Sequence, residues 1–339
     1  MFRRYFVWLA AFVLVMSAAS AASAADPVVL KVGTLAPADS TWGRVFKVWQ
    51  KGFSERTSGA VTIQIFWNGQ QGDENAMVGK IRTGQLDGAA ITATGLGQIY
   101  KQVLVLQLPG VFASWDKLDA ARNKMKGQFD AEFEKAGFKN LGWGDVGASH
   151  NMSKGFEIRT PKDLKRKGVF YLKGDPVAPM IYQLIGDITP KELGVPEITA
   201  ALTSGSINVV DAPPLAAEQL QWAPQLDHIN RMIDGYGIGA LVFSSAKVKS
   251  LPADVQTALV ETGGVAANAL TKSIRAADDA AYVRLAGDPS KGIKGRMADY
   301  TPTPAEVAEW NKLFADARTK LKAGTFSADI INAVEAAAK

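Results

Sequence analysis

Short β-rich runs alternate with amphipathic helical segments in this chain, and this alternation is the strongest constraint on its fold. Val28 to Leu35 predicts a strand, and Trp42 to Phe53 predicts a helix because its apolar residues recur at helical spacing. Val61 to Trp67, Asp73 to Thr83 and Leu86 to Ile91 continue the pattern as strand, helix and strand. Strands separated by helices predict an α/β fold, in which mainly parallel sheets are flanked by helices.

A comparable unit recurs later in the chain. It consists of a strand, two helices and a second strand, over Val169 to Leu172, Val177 to Ile185, Glu197 to Thr203 and Ile207 to Asp211. In both units a helix ends at a glycine, Gly84 or Gly205, and a strand starts two residues later. Glycine suits the left-handed position that stops a helix, so one supersecondary unit is expected in each of two lobes.

The chain has 339 residues, which is more than one hydrophobic core usually covers. We therefore expect residues 26–150 to form lobe 1 together with part of the C-terminal region, and residues 151–245 to form lobe 2. Residues 246–339 are expected to be helical and to cross between the lobes, with helices over Pro252 to Leu285, Pro304 to Leu321 and Ala328 to Ala338. Since no linker rich in Ser, Pro or Gln separates the lobes, their connection is expected to act as a hinge.

The first 25 residues have the pattern of an export signal. Arg3 and Arg4 precede an apolar run from Tyr5 to Met16, and small residues follow it, which predicts cleavage near Ala24 or Ala25. The alternative is a membrane anchor, but the run is shorter than the roughly 20 apolar residues that a spanning helix needs. The sequence therefore predicts export to the periplasm.

Composition excludes several classes of function. The chain has no cysteine, so a lipid-anchored cysteine, a disulfide framework and thiolate metal sites are excluded. Lys and Arg outnumber Asp and Glu by only 38 to 33 and are scattered, which argues against a nucleic-acid partner. His150 and His228 have no carboxylate at metal-ligand spacing, so no metal site and no cofactor are predicted.

Several segments together resemble the solute-binding component of tripartite ATP-independent periplasmic (TRAP) transporters of the dicarboxylate-binding type. They are Thr160-Pro161-Lys162-Asp163-Leu164-Lys165, Leu202-x-x-Gly205-x-Ile207-x-x-Val210-Asp211, the loop from Phe66 to Glu74, Gln85 to Ala89, and Leu251 to Gln256. The resemblance covers nearly the whole chain after the leader. It implies a two-lobed periplasmic-binding-protein fold, a long helix spanning both lobes, closure around a small-molecule ligand and delivery to sodium-driven TRAP membrane subunits.

The departures from that family concern the ligand. Members that bind organic acids carry an arginine in the strand after the Pro-x-Asp-Leu-Lys segment, where its planar fork pairs with the substrate carboxylate. Here Phe170 or Tyr171 stands in that place, and Ala212-Pro213-Pro214 replaces a longer polar run. A branch of the family with a periplasmic tetratricopeptide-repeat partner also lacks the arginine and has a Gly-Asp-Pro run, as at Gly174-Asp175-Pro176. The resemblance to this branch implies such a partner and a ligand more apolar than a C4-dicarboxylate.

Ligands of open α/β sheets bind in the loops at the carboxyl ends of strands, and these loops are rich in aromatic residues here. The predicted ligand-binding residues are Trp42, Trp67, Gln71, Thr94, Gly95, Trp143, Phe170, Tyr171, Lys173, Asp211, Trp222 and Tyr236. Core packing is the alternative for each aromatic residue, a salt bridge with Asp175 for Lys173, and structural capping for Asp211. Asp73 and Glu74 are expected to cap a helix.

Three kinds of function remain open from the sequence. A transport binding protein is favoured, because neither a nucleophile elbow nor another catalytic motif is present and the chain is therefore not expected to be an enzyme. A periplasmic hydrolase or isomerase would instead need a perturbed acid–base pair in the cleft. A scaffold or sensory protein would bind other proteins and would not need a closed pocket.

Overall fold

The computed structural model describes residues 27–338. The predicted leader, residues 1–25, lies outside the described residues. Within residues 27–338 no helix combines the length and the apolar character required to cross a membrane.

The first βαβ units form as the apolar periodicity predicts. Their elements are β1 (Val28–Thr34), α1 (Thr41–Arg56), β2 (Val61–Phe66), α2 (Glu74–Arg82) and β3 (Gly88–Thr92). Two helices that the sequence analysis did not predict follow them, α3 (Ala93–Ile99) and α4 (Trp115–Lys135). β1 lies between β2 and β3 and pairs with both in parallel. Ser40 caps α1 by accepting from the Gly43 backbone N–H, and Asp73 caps α2 by accepting from Ala76.

The middle of the chain contributes the second unit and two long strands. Its elements are β4 (Phe138–Ser153), β5 (Phe170–Leu172), α5 (Val177–Ile185), β6 (Lys191–Leu193), α6 (Val195–Thr203), β7 (Val209–Ala212), α7 (Pro214–Gln219), β8 (His228–Asn230) and β9 (Gly235–Ser244). Gly84 and Gly205 both have positive φ, 74° and 70°, as expected for residues that stop helices.

The C-terminal region is mainly helical. Its elements are α8 (Ser245–Ser250), α9 (Ala253–Ala286), β10 (Gly287–Asp288), β11 (Ile293–Lys294), β12 (Ala298–Tyr300), α10 (Pro304–Lys322) and α11 (Ala328–Ala337). The 34-residue helix α9 packs against α1, β4 and α7. It therefore contacts both halves of the molecule, as the sequence predicted for the long helix.

Strand β4 belongs to both main sheets. Residues from Phe138 to Ser149 pair antiparallel with β9, which in turn pairs with β3. Residues from His150 to Ser153 pair instead with β7, and the last two also pair with β8. The two sheets therefore meet within one strand, at the step from Ser149 to His150.

Parallel pairing also joins β5 to β6 and β8 to β12. The sequence analysis predicted β5 but not its partner β6, and it predicted neither β8 nor β12. β4 and β9 were not predicted from the sequence, and they add antiparallel pairs that make each main sheet mixed.

Glycines along β4 allow helix α9 to lie directly on the strand. A Cβ placed on Gly142 would be 2.5 Å from the Ala267 Cβ, and one on Gly144 would be 2.9 Å from Leu270 Cδ2. Gly147 has a φ of 142°, and its Cβ would be 2.6 Å from the Asp278 carboxyl. Gly142 and Gly144 face the same side because alternate residues of a strand do so, and the register shift between Asp145 and Gly147 brings Gly147 to that side too. The three glycines therefore form a groove for the helix.

Three hydrophobic clusters hold these layers together. One packs α1 and α9 on β1 and β2, with Phe53 and Phe243 fully buried. A second lies around β7, β8 and α6. The third joins α4, α10 and α11 to the other face of β4 and β9. The two-lobed α/β architecture that the sequence predicts is confirmed.

Candidate functional site

A cavity of about 300 Å³ lies between the two sheets. Lobe 1 supplies the ends of β1 and β3, from Thr34 to Pro37 and from Ala90 to Thr92. The second unit supplies β5, the start of α5 and the end of β7, and α9 contributes Ala266, Ala267 and Leu270. Strand ends from both lobes therefore form its walls, as expected for a ligand site in an α/β fold.

Seven of the twelve predicted ligand-binding residues line this cavity. They are Trp42, Thr94, Phe170, Tyr171, Asp211, Trp222 and Tyr236. Trp222 and Tyr236 are 5% exposed and also pack in hydrophobic clusters. Each of these two residues therefore contributes both to the cavity wall and to the core. Phe170 and Tyr171, which stand where the family resemblance implies an arginine, both line the cavity.

The structure does not bring the other five predicted residues to the cavity. Trp67 packs against the α1 cluster, with Lys47 above its ring. Gln71 accepts a hydrogen bond from Lys80 Nζ at 2.8 Å. The Gly95 N–H donates to Glu74, and a side chain there would be blocked by Ile91.

Neither Trp143 nor Lys173 lines the cavity, and the reasons for this cannot be read from the local sequence. Gly142 and Gly144 face the cavity, so the alternation of side chains puts Trp143 on the opposite face of β4, among Phe129 and Phe133. Lys173 Nζ binds Glu197 at 2.9 Å and lies 3.7 Å from Asp73. The expected alternative pair of Lys173 with Asp175 does not form.

Five carboxyl groups line the cavity, and three of them have structural partners. Glu74, 5% exposed, accepts from the Thr92 N–H, the Thr92 hydroxyl and the Gly95 N–H at 2.7–2.9 Å. It therefore caps α3 rather than its own helix. Asp175 caps α5 through the Val177 N–H at 2.7 Å.

The third such carboxylate, Asp145, belongs to an ionic network behind the cavity wall. Arg122 donates to its Oδ1 and Arg275 to its Oδ2, both at 2.7 Å. Asp119 binds the same two guanidinium groups. Arg275 also stacks over the ring of Trp115, with 4.3 Å from its Cζ to the ring centroid. Both guanidinium groups are held by these partners, and neither residue lines the cavity.

The two remaining carboxyl groups, Asp211 and Asp234, hydrogen-bond to one another. Asp211 lies on β7 opposite Asn151 of β4, and Asn151 Nδ2 donates to Asp234 Oδ2 at 2.8 Å. The Tyr182 hydroxyl is directed to the Phe170 carbonyl at 3.0 Å and so does not neutralise either acid. The pair thus lies where the two sheets meet.

Burial dominates the electrostatics of this acidic pair. It raises the pKa of Asp211 to about 6. The side chain does present surface to the cavity, but the cavity itself lies between the two sheets. Burial and the nearby Asp211 charge raise the pKa of Asp234 well above its usual range. Both shifts favour the protonated forms, so the two carboxyl groups release their protons at higher pH than free carboxyl groups do.

Asp234 and Tyr182 are cavity residues that sequence reasoning missed. Asp234 stands immediately before β9, a strand that the sequence analysis did not identify. Tyr182 lies on α5 with Ala178 and Ile181, all three lining the cavity at helical spacing. The i, i+3, i+4 pattern in Val177 to Ile185 could have identified this face.

Within residues 27–338, no group of His, Cys, Asp or Glu residues is arranged to hold a metal ion. His150 is buried, with Nδ1 3.0 Å from the Asn230 carbonyl and its ring stacked on Tyr282. His228 pairs with the adjacent Asp227. Each of the two histidines in the sequence thus has a local structural partner.

Two sheets that share a strand and enclose a cavity have the architecture of two-lobed solute-binding proteins. The bacterial extracellular solute-binding protein family 7, DctP, matches residues 32–322 of this chain, and the chain belongs to that family. A solute-binding protein of Verminephrobacter eiseniae is 23% identical over 244 residues, which cover 71% of each chain.

Solved structures share the fold at low sequence identity. A TRAP periplasmic solute-binding protein from Shewanella oneidensis with bound succinate has a TM-score of 0.83 and 20% identity, covering 92% of this chain and 100% of that one. The sugar acid binding protein of Advenella mimigardefordensis in complex with galactonate has a TM-score of 0.82 and 15% identity, covering 92% and 98%. The present chain is similar to both in fold.

Proposed function

We propose that this chain is the solute-binding component of a sodium-coupled TRAP transporter and that it acts in the periplasm after removal of residues 1–25. It captures a small organic ligand between its lobes and delivers it to the membrane subunits without converting it. The observation that carries this proposal is the cavity, whose walls come from both lobes and include seven residues expected from the sequence. Membership of the DctP family supports the transport function.

Capture proceeds by rotation of the lobes about the segments that join them. A ligand that contacts Trp42 of lobe 1 and Tyr171 of the second unit stabilises the closed form, because only that form brings both walls onto it. The transporter then distinguishes the closed, loaded protein from the open one.

The ligand is more apolar than a C4-dicarboxylate. Phe170 and Tyr171 occupy the place of the expected arginine, and no Lys, Arg or His lines the cavity among the described residues. A dicarboxylate would enter such a cavity without a cation to bind either charge, which is costly. Aromatic rings instead favour an apolar body with a few polar groups.

A periplasmic tetratricopeptide-repeat protein is a further partner in this proposal. Its support is the Gly174-Asp175-Pro176 run together with the absence of the arginine. The run also has a local function, since Gly174 has a φ of 89° and Asp175 caps α5. Co-purification of the exported protein with a candidate periplasmic tetratricopeptide-repeat protein tests this partnership separately, and failure to co-purify would contradict it.

Equilibrium dialysis against succinate, malate and apolar organic compounds tests the binding function, together with native mass spectrometry of freshly purified protein. We expect retained cargo and no measurable succinate or malate binding. Tight binding of either dicarboxylate would contradict the apolar ligand, and release of a converted product would favour a hydrolase or isomerase. Trp42→Ala should weaken cargo binding by about tenfold or more.

Trp67→Ala is the matched control for Trp42→Ala. The substitution removes the same type of side chain from the same hydrophobic cluster, but Trp67 does not line the cavity. Equal loss of binding in both variants would mean that the cavity is not the ligand site. Loss in neither variant would exclude the Trp42 wall.

A further inference from the structure

The charges that face the cavity are all of one sign. Its carboxyl groups are Glu74, Asp145, Asp175, Asp211 and Asp234, and no basic residue lines it among residues 27–338. Most solute cavities for organic anions require the opposite arrangement, because a carboxylate ligand needs donors with positive charge. The sign of the lining therefore restricts the ligand.

Local hydrogen bonds account for three of these carboxyl groups but not for the other two. Glu74 and Asp175 cap helices, and Asp145 is bound by two arginines. Asp211 and Asp234 have each other and the amide of Asn151. An amide donor satisfies an oxygen but supplies no charge, so the negative charge of this pair is not neutralised by the described protein.

The Asp211–Asp234 pair is positioned to bind a ligand in the cavity. Asp211 is exposed, and its surface opens into the cavity, whereas Asp234 is 7% exposed and is fixed by Asn151. One carboxyl group is thus presented to the cavity while its partner is held rigidly behind it. The lining around them is mainly aromatic and aliphatic, with Tyr171, Trp222 and Tyr236 among its rings.

We propose that the ligand is an organic ammonium compound, whose N–H donors bind the Asp211–Asp234 pair while its apolar body lies against the aromatic walls. This inference rests on the proposed function, because it assigns a ligand class to the same cavity. An ammonium group supplies the missing positive charge and several donors. Aromatic rings also attract cations through their negative faces, so the whole lining favours such a group.

Other headgroups fit the pair less well. A ligand carboxylate would be repelled by the negative charge that the pair carries, unless both carboxyl groups were first protonated. A hydroxyl group can donate one hydrogen bond but leaves the charge uncompensated. The expected order of affinity is therefore ammonium, then hydroxyl, then carboxylate.

A set of three probes with one apolar body tests this order. Isothermal titration of the full protein with 2-phenylethylamine, 2-phenylethanol and 3-phenylpropionate compares the headgroups directly. We expect the amine to bind at least about tenfold more tightly than the alcohol, and the carboxylate to bind most weakly. Because this ranking is measured on the unaltered chain, it does not depend on whether any variant folds.

Asp211→Asn combined with Asp234→Asn tests the anchor itself, since the double substitution keeps the shape of both side chains and removes the charge that either acid could carry. The advantage of the amine over the alcohol should fall to less than about twofold in this variant. Asp187→Asn is the control, because Asp187 is a surface carboxylate beside Lys165 and lies outside the cavity. It should keep the full advantage.

Several outcomes would overturn the ammonium inference. They are equal or tighter binding of 3-phenylpropionate, equal binding of the alcohol and the amine, and an unchanged amine preference when Asp211 and Asp234 are both replaced by Asn. If none of the probes binds but native mass spectrometry finds a cargo without an amine, the inference fails and the binding function stands. A protein that neither retains cargo nor responds to any ligand would contradict the proposed function, and the inference would fail with it.

Discussion

Gly142 of β4 and Ala267 of α9 are so close that a Cβ on the glycine would lie 2.5 Å from the alanine Cβ. The contact brings the long helix onto the strand that the two sheets share. The contact depends on the absence of a side chain at Gly142, so a substitution at that position tests it directly.

Gly142→Ala should destabilise the protein by about 1–3 kcal/mol, because the methyl group must displace α9 from β4. Thermal or urea unfolding followed by circular dichroism measures this change. Gly127→Ala is the control, since Gly127 is in α4 and a Cβ there would meet nothing within 4 Å. We expect the control to gain about 0.5–1 kcal/mol from improved helix propensity. Equal stability of the two variants would contradict the close packing.

Asp145→Asn should cost about 3–5 kcal/mol of unfolding free energy, because it leaves Arg122 and Arg275 with one buried negative charge fewer. The Asp145 side chain is completely buried between them. Asp316→Asn provides the comparison, as Asp316 forms an exposed pair with Lys312 and should change stability by less than about 0.5 kcal/mol. A small effect of Asp145→Asn would mean that the network adds little to folding.

Asp278→Ala should destabilise the protein by about 2–4 kcal/mol, since it leaves two buried backbone donors without an acceptor. Asp278 of α9 accepts from Ala148 of β4 at 2.8 Å and from Leu215 of α7 at 2.9 Å. The neighbouring Asp279 is exposed, so Asp279→Ala tests the loss of a carboxylate from the same helix without those bonds. Equal effects at the two positions would exclude the proposed bridging contribution of Asp278.

His150 should make stability depend on pH between about 6.5 and 4. Burial lowers the pKa of His150 to about 4 in the folded chain, so in this interval the unfolded chain binds more protons. Its contribution is therefore fully present above pH 6.5 and is lost as the pH falls. The stability of the unaltered chain relative to His150→Gln should decrease by about 3 kcal/mol across the interval.

Urea unfolding at several pH values measures this difference. Comparing the two proteins removes the contributions of other groups, including Asp278, whose raised pKa acts in the opposite direction. A difference that stays constant from pH 7 to pH 4 would show that His150 titrates normally.

The sequence predicted elements whose periodicity is local and complete. Helix α5 forms over the predicted residues, and α1, α2 and α9 agree within a few residues. Strands β4 and β9 were not predicted, because the glycines of β4 interrupt the apolar pattern there. Those glycines serve the approach of α9, a contact between residues more than a hundred positions apart. Such a requirement leaves no periodic signal in the strand itself.

The cavity was predictable where strand ends carry aromatic residues, as at Phe170 and Tyr171. Prediction failed where the direction of a side chain decides whether it reaches the cavity. Trp143 points to the opposite face of β4 from its neighbours Gly142 and Gly144, which line the cavity. It also failed for Asp234, because its significance arises from Asp211, which a different strand brings beside it.

The strand that the two sheets have in common limits how the halves can move. Because β4 is covalently continuous through the step from Ser149 to His150, one half cannot translate past the other without breaking backbone pairing on both sides. Bending and twisting about that step remain available. In the lobe rotation that we propose, groups beside this axis, such as Asn151 and Asp234, would change their separation least, and the distance across the mouth of the cleft would change most.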